Sequence, residues 1–184
     1  MSRVSTVYLL TCAAIGVATG ILIVPATALS TLTHSTLPPV SALLAGAWVI
    51  GYVIAMRLTE RPGAAIIAGL VSGVVAAPLS TTGPAIVITN VMFAAFIELP
   101  FLLTLYRRWG RGLYYAGAGA LATVYGAYSV ISSNMQSFAP WVLVLYVAAL
   151  FASAIGAVAL GLLIADRLRR AGVAKLARRR ASVV

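Results

Sequence analysis

The chain is a succession of long apolar stretches with its charges confined almost wholly to the gaps between them. A helix needs about 20 mostly apolar residues to cross the hydrocarbon of a bilayer. Six stretches approach that length, at about 4–29, 39–57, 62–79, 84–106, 112–132 and 140–166. Each gap has a chemical cause. Leu37-Pro38-Pro39 and Thr59-Glu60-Arg61-Pro62 place proline where a new helix begins. Ser80-Thr81-Thr82-Gly83-Pro84 is a turn cluster, Arg107-Arg108-Trp109-Gly110-Arg111-Gly112 joins charge to glycine, and a polar segment at 132–137 precedes Pro140. Charged residues make up 9% of the 184 residues and hydrophobic ones 62%. Soluble domains carry about a quarter charged residues, so lipid is the solvent that suits this surface. The expected fold is all-α: one integral membrane domain over residues 1–184, a polytopic bundle of six transmembrane helices. The first stretch exceeds the roughly 7–15 apolar residues of a secretory signal and reads as a span.

The charges then sort by side. Arg3 precedes the first span; Arg57 and Arg61 separate the second from the third. Arg107, Arg108 and Arg111 separate the fourth from the fifth, and the remaining basic residues form a tail at about 167–184. The alternate loops, 30–38, 80–83 and 133–139, carry no charge. The positive-inside rule gives an N-in/C-in topology with all 13 Lys and Arg residues on the cytoplasmic side. The net charge of +10 therefore reads as a topology signal and a contact with the lipid bilayer, and no nucleic acid is expected as partner.

Small residues recur at four-residue spacing. The first span has Ala14 and Ala18 on one row and Gly16 and Gly20 on another; the last has Ala148, Ala152 and Gly156. Such rows let helices approach closely in lipid, either within the bundle or against another membrane subunit.

Chemistry-bearing residues are few. Glu60 and Asp166 sit in or beside basic gaps, so Glu98 is the one acid inside a span. An ionisable group at that depth faces a cavity or a partner; the structural alternative is a hydrogen bond to a neighbouring helix near Pro100. Asn90 and Ala94 share its helical face, a pattern able to line a polar pocket. Trp48, Tyr52, Tyr125, Tyr128 and Tyr146 offer rings for stacking on a flat heterocycle or for holding a cation, or else for ordinary packing. The uncharged loops add His34, Ser80, Thr81, Thr82, Asn134 and Gln136 as groups able to close over a ligand. The single cysteine, Cys12, reads as a packing residue, and one His with one Cys gives no metal cluster. The single lysine, Lys175, lies in Ala174-Lys175-Leu176, so the chain has no phosphate-binding loop and is not expected to hydrolyse ATP. Nor is there an intramembrane base for a serine nucleophile. No cofactor and no enzymatic activity are expected; binding, assembly or facilitated passage remain.

From Trp48 through Arg61-Pro62-Gly63-Ala64-Ala65, Thr82-Gly83-Pro84 and Glu98 to Tyr106-Arg107-Arg108-Trp109-Gly110, the sequence resembles the substrate-binding S components of energy-coupling factor (ECF) vitamin transporters. The closest branch is the YkoE type, associated with thiamine and its hydroxymethylpyrimidine precursor. The resemblance implies six helices, a pocket toward the outer side, and a prokaryotic cytoplasmic membrane. It further implies a small-molecule vitamin ligand, a transmembrane coupling subunit and two ATPase subunits. Ala14 and Ala18 correspond to the alanine-spaced docking row of that family. The shortage of acids leaves a neutral pyrimidine or another vitamin open as ligand. The alternative function is a non-transporting accessory or assembly subunit of a membrane complex, and a stand-alone facilitator is a third.

Overall fold

The computed structural model describes residues 6–133 and 138–172. Among them the regular elements are α-helices: α1 (Thr6–His34), α2 (Pro38–Leu44), α3 (Gly46–Thr59), α4 (Ala64–Ala76), α5 (Ala85–Leu103), α6 (Arg111–Ser132) and α7 (Pro140–Arg170). Arg3, Asn134, Gln136, Lys175 and the rest of the basic tail beyond 172 lie outside the described residues.

Four segments are long and apolar enough to cross a membrane: α1, the α2–α3 pair taken together, α5 and α7. The other two expected spans differ for separate reasons. Helix α4 has only 13 residues, a rise of about 20 Å against a hydrocarbon core of about 30 Å. Helix α6 has 22 residues, but its four tyrosines and four glycines dilute its apolar character. Large side chains point outward throughout: Leu32, Ile88, Leu103, Ile131 and Val144 are all exposed. In water that surface would aggregate; in lipid it is the solvated face.

The expected span at 39–57 is broken at Ala45 into α2 and α3. A break leaves backbone groups without partners, which lipid does not supply. Ser153 of α7 repairs it: its hydroxyl donates to the Leu43 carbonyl and accepts the Gly46 N–H.

Helix α4 is central. Gly16 and Gly20 of α1 lie so close to it that an added Cβ would come within 2.8 Å of the Ala68 and Ser72 carbonyls. On its other side Gly69 meets Asn90 and Ala94 of α5. The two small-residue rows of α1 therefore part company. Gly16 and Gly20 are buried in the bundle, whereas Ala14 and Ala18 are exposed on its outside.

The charges gather at one end. Arg57 of α3 bonds to Asp166 of α7 at 3.2 Å and lies 3.6 Å from Glu60, Arg111 of α6 reaches Asp166 at 2.9 Å, and Arg169 of α7 reaches Glu60 at 2.8 Å. This network ties the ends of α3, α6 and α7 together. The opposite end, where α1 and α6 finish and α5 begins, is uncharged.

Candidate functional site

At the uncharged end the bundle encloses a cavity of about 740 Å³, within the range of small-molecule sites. Helix α1 supplies its polar wall. Thr27, Ser30, Thr31 and His34 lie on the last two turns at four-residue spacings, which stack them on one face. The Thr27 and Thr31 hydroxyls donate to the Ile23 and Thr27 carbonyls, at 2.8 and 2.9 Å. Thr89 of α5 likewise donates to Ala85 at 3.3 Å. With their protons committed to their own helices, these oxygens face a ligand as acceptors.

The aromatic wall comes from Trp48 of α3, Phe96 of α5, and Tyr125 and Tyr128 of α6. Phe93 stands behind it: its ring meets Trp48 edge-on at 6.5 Å and Tyr125 at 5.0 Å, fixing two cavity rings from one position. The Trp48 indole N–H is sealed in the wall with no hydrogen-bond partner. Ile86, Met92, Leu121 and Val124 complete the apolar lining.

His34 closes the rim. Its Nε2 lies 2.8 Å from the Ser133 hydroxyl at the end of α6, and its Nδ1 lies 3.2 Å from Ser41 of α2. Ser41 donates its own proton to the Pro38 carbonyl at 2.8 Å, so toward His34 it acts as the acceptor of an Nδ1–H. One imidazole thus joins the ends of α1 and α6 to α2.

The sequence candidates divide. Trp48, Tyr125, Tyr128, His34 and Thr82 come together on the cavity wall. Ser80 instead accepts the Thr82 N–H at 3.1 Å and shapes the turn. Glu98, Asn90, Tyr52 and Tyr146 do not line the cavity. Asn90, Ala94 and Glu98 do share a face, but that face packs against α4 rather than lining a polar pocket. Asn90 donates to Ser72 at 3.1 Å, beside Tyr52 at 3.4 Å from the same hydroxyl. Glu98, only 2% exposed, accepts the N–H groups of Gly63 and Ile66 at the start of α4 and the Tyr106 hydroxyl at 2.8 Å. It satisfies donors that the helix N-terminus leaves unpaired. Tyr146 is buried in α7 near Phe138 and Leu143.

The sequence reading named His34 but missed Thr27, Ser30, Thr31, Thr89 and Phe96. A signal was present for the first three: with His34 they are polar residues at four-residue spacing closing an otherwise apolar helix. Among the described residues no group of three or more His, Cys, Asp or Glu side chains converges on a metal position.

Residues 7–125, well over half of the chain, match the family described as "ABC-type cobalt transport system, permease component". A solved structure titled "Crystal structure of an S-component of ECF transporter" superposes with a TM-score of 0.82 at 20% sequence identity, covering 98% of this chain and 98% of that one. No curated protein matches the chain.

Proposed function

The chain belongs to the family of permease components of ABC-type cobalt transport systems, and from that premise we propose that it is the substrate-binding S component of an ECF-type importer, capturing thiamine or a thiamine precursor. The observation that carries this reading is the cavity. Four aromatic rings line a space of about 740 Å³, with hydroxyl acceptors along one wall and no carboxylate among the lining residues. That wall suits a flat heterocycle bearing hydrogen-bond donors, sandwiched between rings. Trp48, Tyr125 and Tyr128 are its ring contacts, and Thr27, Thr31 and Thr89 its polar ones.

The family description names cobalt, which makes the metal ion the second reading. A divalent cobalt ion takes several N, O or S donors. The cavity offers one imidazole, with both nitrogens already engaged, and no thiolate or carboxylate. The donor set favours the organic ligand.

The basic end faces the cytoplasm in this reading, as the positive-inside rule directs. The cavity then opens outward, into the periplasmic or external space of a prokaryotic inner membrane. The exposed Ala14 and Ala18 row meets the transmembrane coupling subunit, and two ATPase subunits supply the energy. Glu98, Asn90, Tyr52 and Tyr146 support the helices that carry the site rather than touch the ligand.

Isothermal titration of the purified chain with thiamine, hydroxymethylpyrimidine and cobalt chloride tests the assignment. Binding of an organic ligand, lost in Tyr125→Ala, supports it. Binding of cobalt alone overturns the ligand. Binding of neither, with other vitamins also silent, favours an accessory subunit of a membrane complex.

A further inference from the structure

Among the described residues three buried side-chain atoms have no hydrogen-bond partner: Trp48 Nε1, Asn90 Oδ1 and Tyr114 Oη. Buried polar atoms are nearly always paired, so each such atom calls for a reason. Tyr114 stands on the first turn of α6, at the basic end, against Phe101. The other two are a donor and an acceptor in one neighbourhood of the core.

Helix register brings them together. Trp48 packs against the cluster of Ile23 of α1, Ala76 of α4 and Ile86 of α5. One turn toward the basic end on the same four helices stand Thr19 of α1, Tyr52 of α3, Ser72 of α4 and Asn90 of α5. The step is four residues on every helix, backward along α1 and α4 and forward along α3 and α5. The Trp48 indole, which lines the cavity, therefore lies one layer above a polar layer that does not.

The bonds within that layer assign the remaining atoms. Ser72 donates its proton to the Gly69 carbonyl at 2.9 Å, so toward Asn90 it can only accept. Asn90 therefore turns its NH2 group to Ser72, at 3.1 Å, and its carbonyl oxygen elsewhere. The Tyr52 hydroxyl lies 3.4 Å from the same Ser72 oxygen. Asn90 is wholly buried, where an amide oxygen without a donor is costly. An indole N–H has one proton to give and accepts nothing. The two groups are complementary, yet they stand beyond direct hydrogen-bond reach of each other. One water molecule is the smallest group that joins them, accepting from the N–H and donating to the carbonyl. Polar interior positions of this kind are where buried water resides.

We propose that one buried water links Trp48 to Asn90, and that Asn90, which does not touch the ligand, is a positioning residue for the ring on which the ligand stacks. The positioning role rests on the ligand reading and deepens it; the water itself does not depend on that reading. Phe93 meets the Trp48 ring at 6.5 Å, and the water holds its N–H edge. Fixed at two places, the indole keeps its plane before the ligand arrives, which lowers the ordering cost of binding. The link also gives a reason for an indole rather than a phenyl ring at position 48, and for an amide inside α5.

Indole-15N labelling of the full chain in detergent gives one N–H signal for each of its three tryptophans, and Trp48→Phe identifies the signal of Trp48. That proton is expected to show a cross-peak to a long-lived water. Asn90→Leu, which removes the acceptor and keeps the bulk, abolishes the cross-peak; Asn90→Val takes its place if leucine prevents folding. Titration with hydroxymethylpyrimidine and with thiamine reads the consequence. Asn90→Leu weakens binding by about fivefold, an ordinary coupling for linked residues, whereas on top of Trp48→Phe it changes Kd by less than about twofold. An Asn90 that served the scaffold alone would weaken binding equally in both backgrounds, and that result overturns the positioning role. A wild-type Trp48 signal without a water contact overturns the link, as does a contact that survives Asn90→Leu. If the wild-type chain binds neither probe, the ligand reading fails, while the indole signals still decide the water.

Discussion

Replacing Gly16 by alanine adds one methyl group to the close seam between α1 and α4. The added carbon would lie 2.8 Å from both the Ala68 carbonyl and Val71 Cβ, where ordinary contact begins at 3.4 Å. Helices α1 and α4 must part by roughly half an ångström, a gap that forfeits about a quarter of each stretched dispersion contact. Overpacking of this kind costs about 1–3 kcal/mol. Alanine returns at most about 1 kcal/mol through its better helix propensity. The balance is a loss of roughly 1–2 kcal/mol, which in a chain of this size lowers the melting temperature by about 3–6 °C. Gly156→Ala and Gly119→Ala are the controls, because nothing lies within 4 Å of an added Cβ at either position. All three variants are melted in one detergent and followed by circular dichroism. Gly16→Ala melting level with the controls would refute the idea that this glycine exists for close approach. Gly20→Ala, 2.8 Å from the Ser72 carbonyl, repeats the test one turn along; the double variant should fall short of additivity because the first methyl already opens the seam.

Glu98→Ala leaves two α4 amides and the Tyr106 hydroxyl without their acceptor, and buried unmet donors cost about 1–3 kcal/mol each. Thermal melting should show a stability loss of about 3 kcal/mol or more, while ligand affinity in the surviving folded protein changes little. Tyr125→Ala removes a ring held in place by Phe93, and titration should show ligand binding weakened by about tenfold or more. His34→Ala severs the rim contacts to Ser133 and Ser41; stopped-flow binding should show both association and release accelerating, with a smaller change in Kd. Ala18→Leu places a bulky chain on an exposed row, so it should reduce co-purification of the coupling subunit without altering the melting temperature.

Much of the helical layout was written in the gaps between apolar runs. Prolines at 38, 62, 84 and 140 fall at or within two residues of a helix start. The site was legible only in part. Trp48, Tyr125 and Tyr128 stood out as aromatic residues in spans, but Tyr52 and Tyr146 carried the same signal and turned into the core. A ring's direction depends on which neighbour its helix meets, and hydropathy holds no record of that. Glu98 shows the limit most clearly. Its depth marked it for a cavity, yet the donors it serves come from Gly63 and Ile66, some thirty residues upstream in the sequence. Nothing local announces that α4 starts beside it. The two rows of α1 were indistinguishable by spacing; only the position of α4 decides that glycines face in and alanines out.

The repair of the α2–α3 break by Ser153 has a consequence for biosynthesis. The Gly46 N–H and the Leu43 carbonyl find their partner 107 and 110 residues later in the chain. During synthesis the second crossing must leave the translocon before the hydroxyl that completes it has been made. Helix α7 is therefore the one that lets an earlier helix settle in lipid, and a chain cut short before residue 153 leaves the Leu43 carbonyl and the Gly46 N–H without that partner.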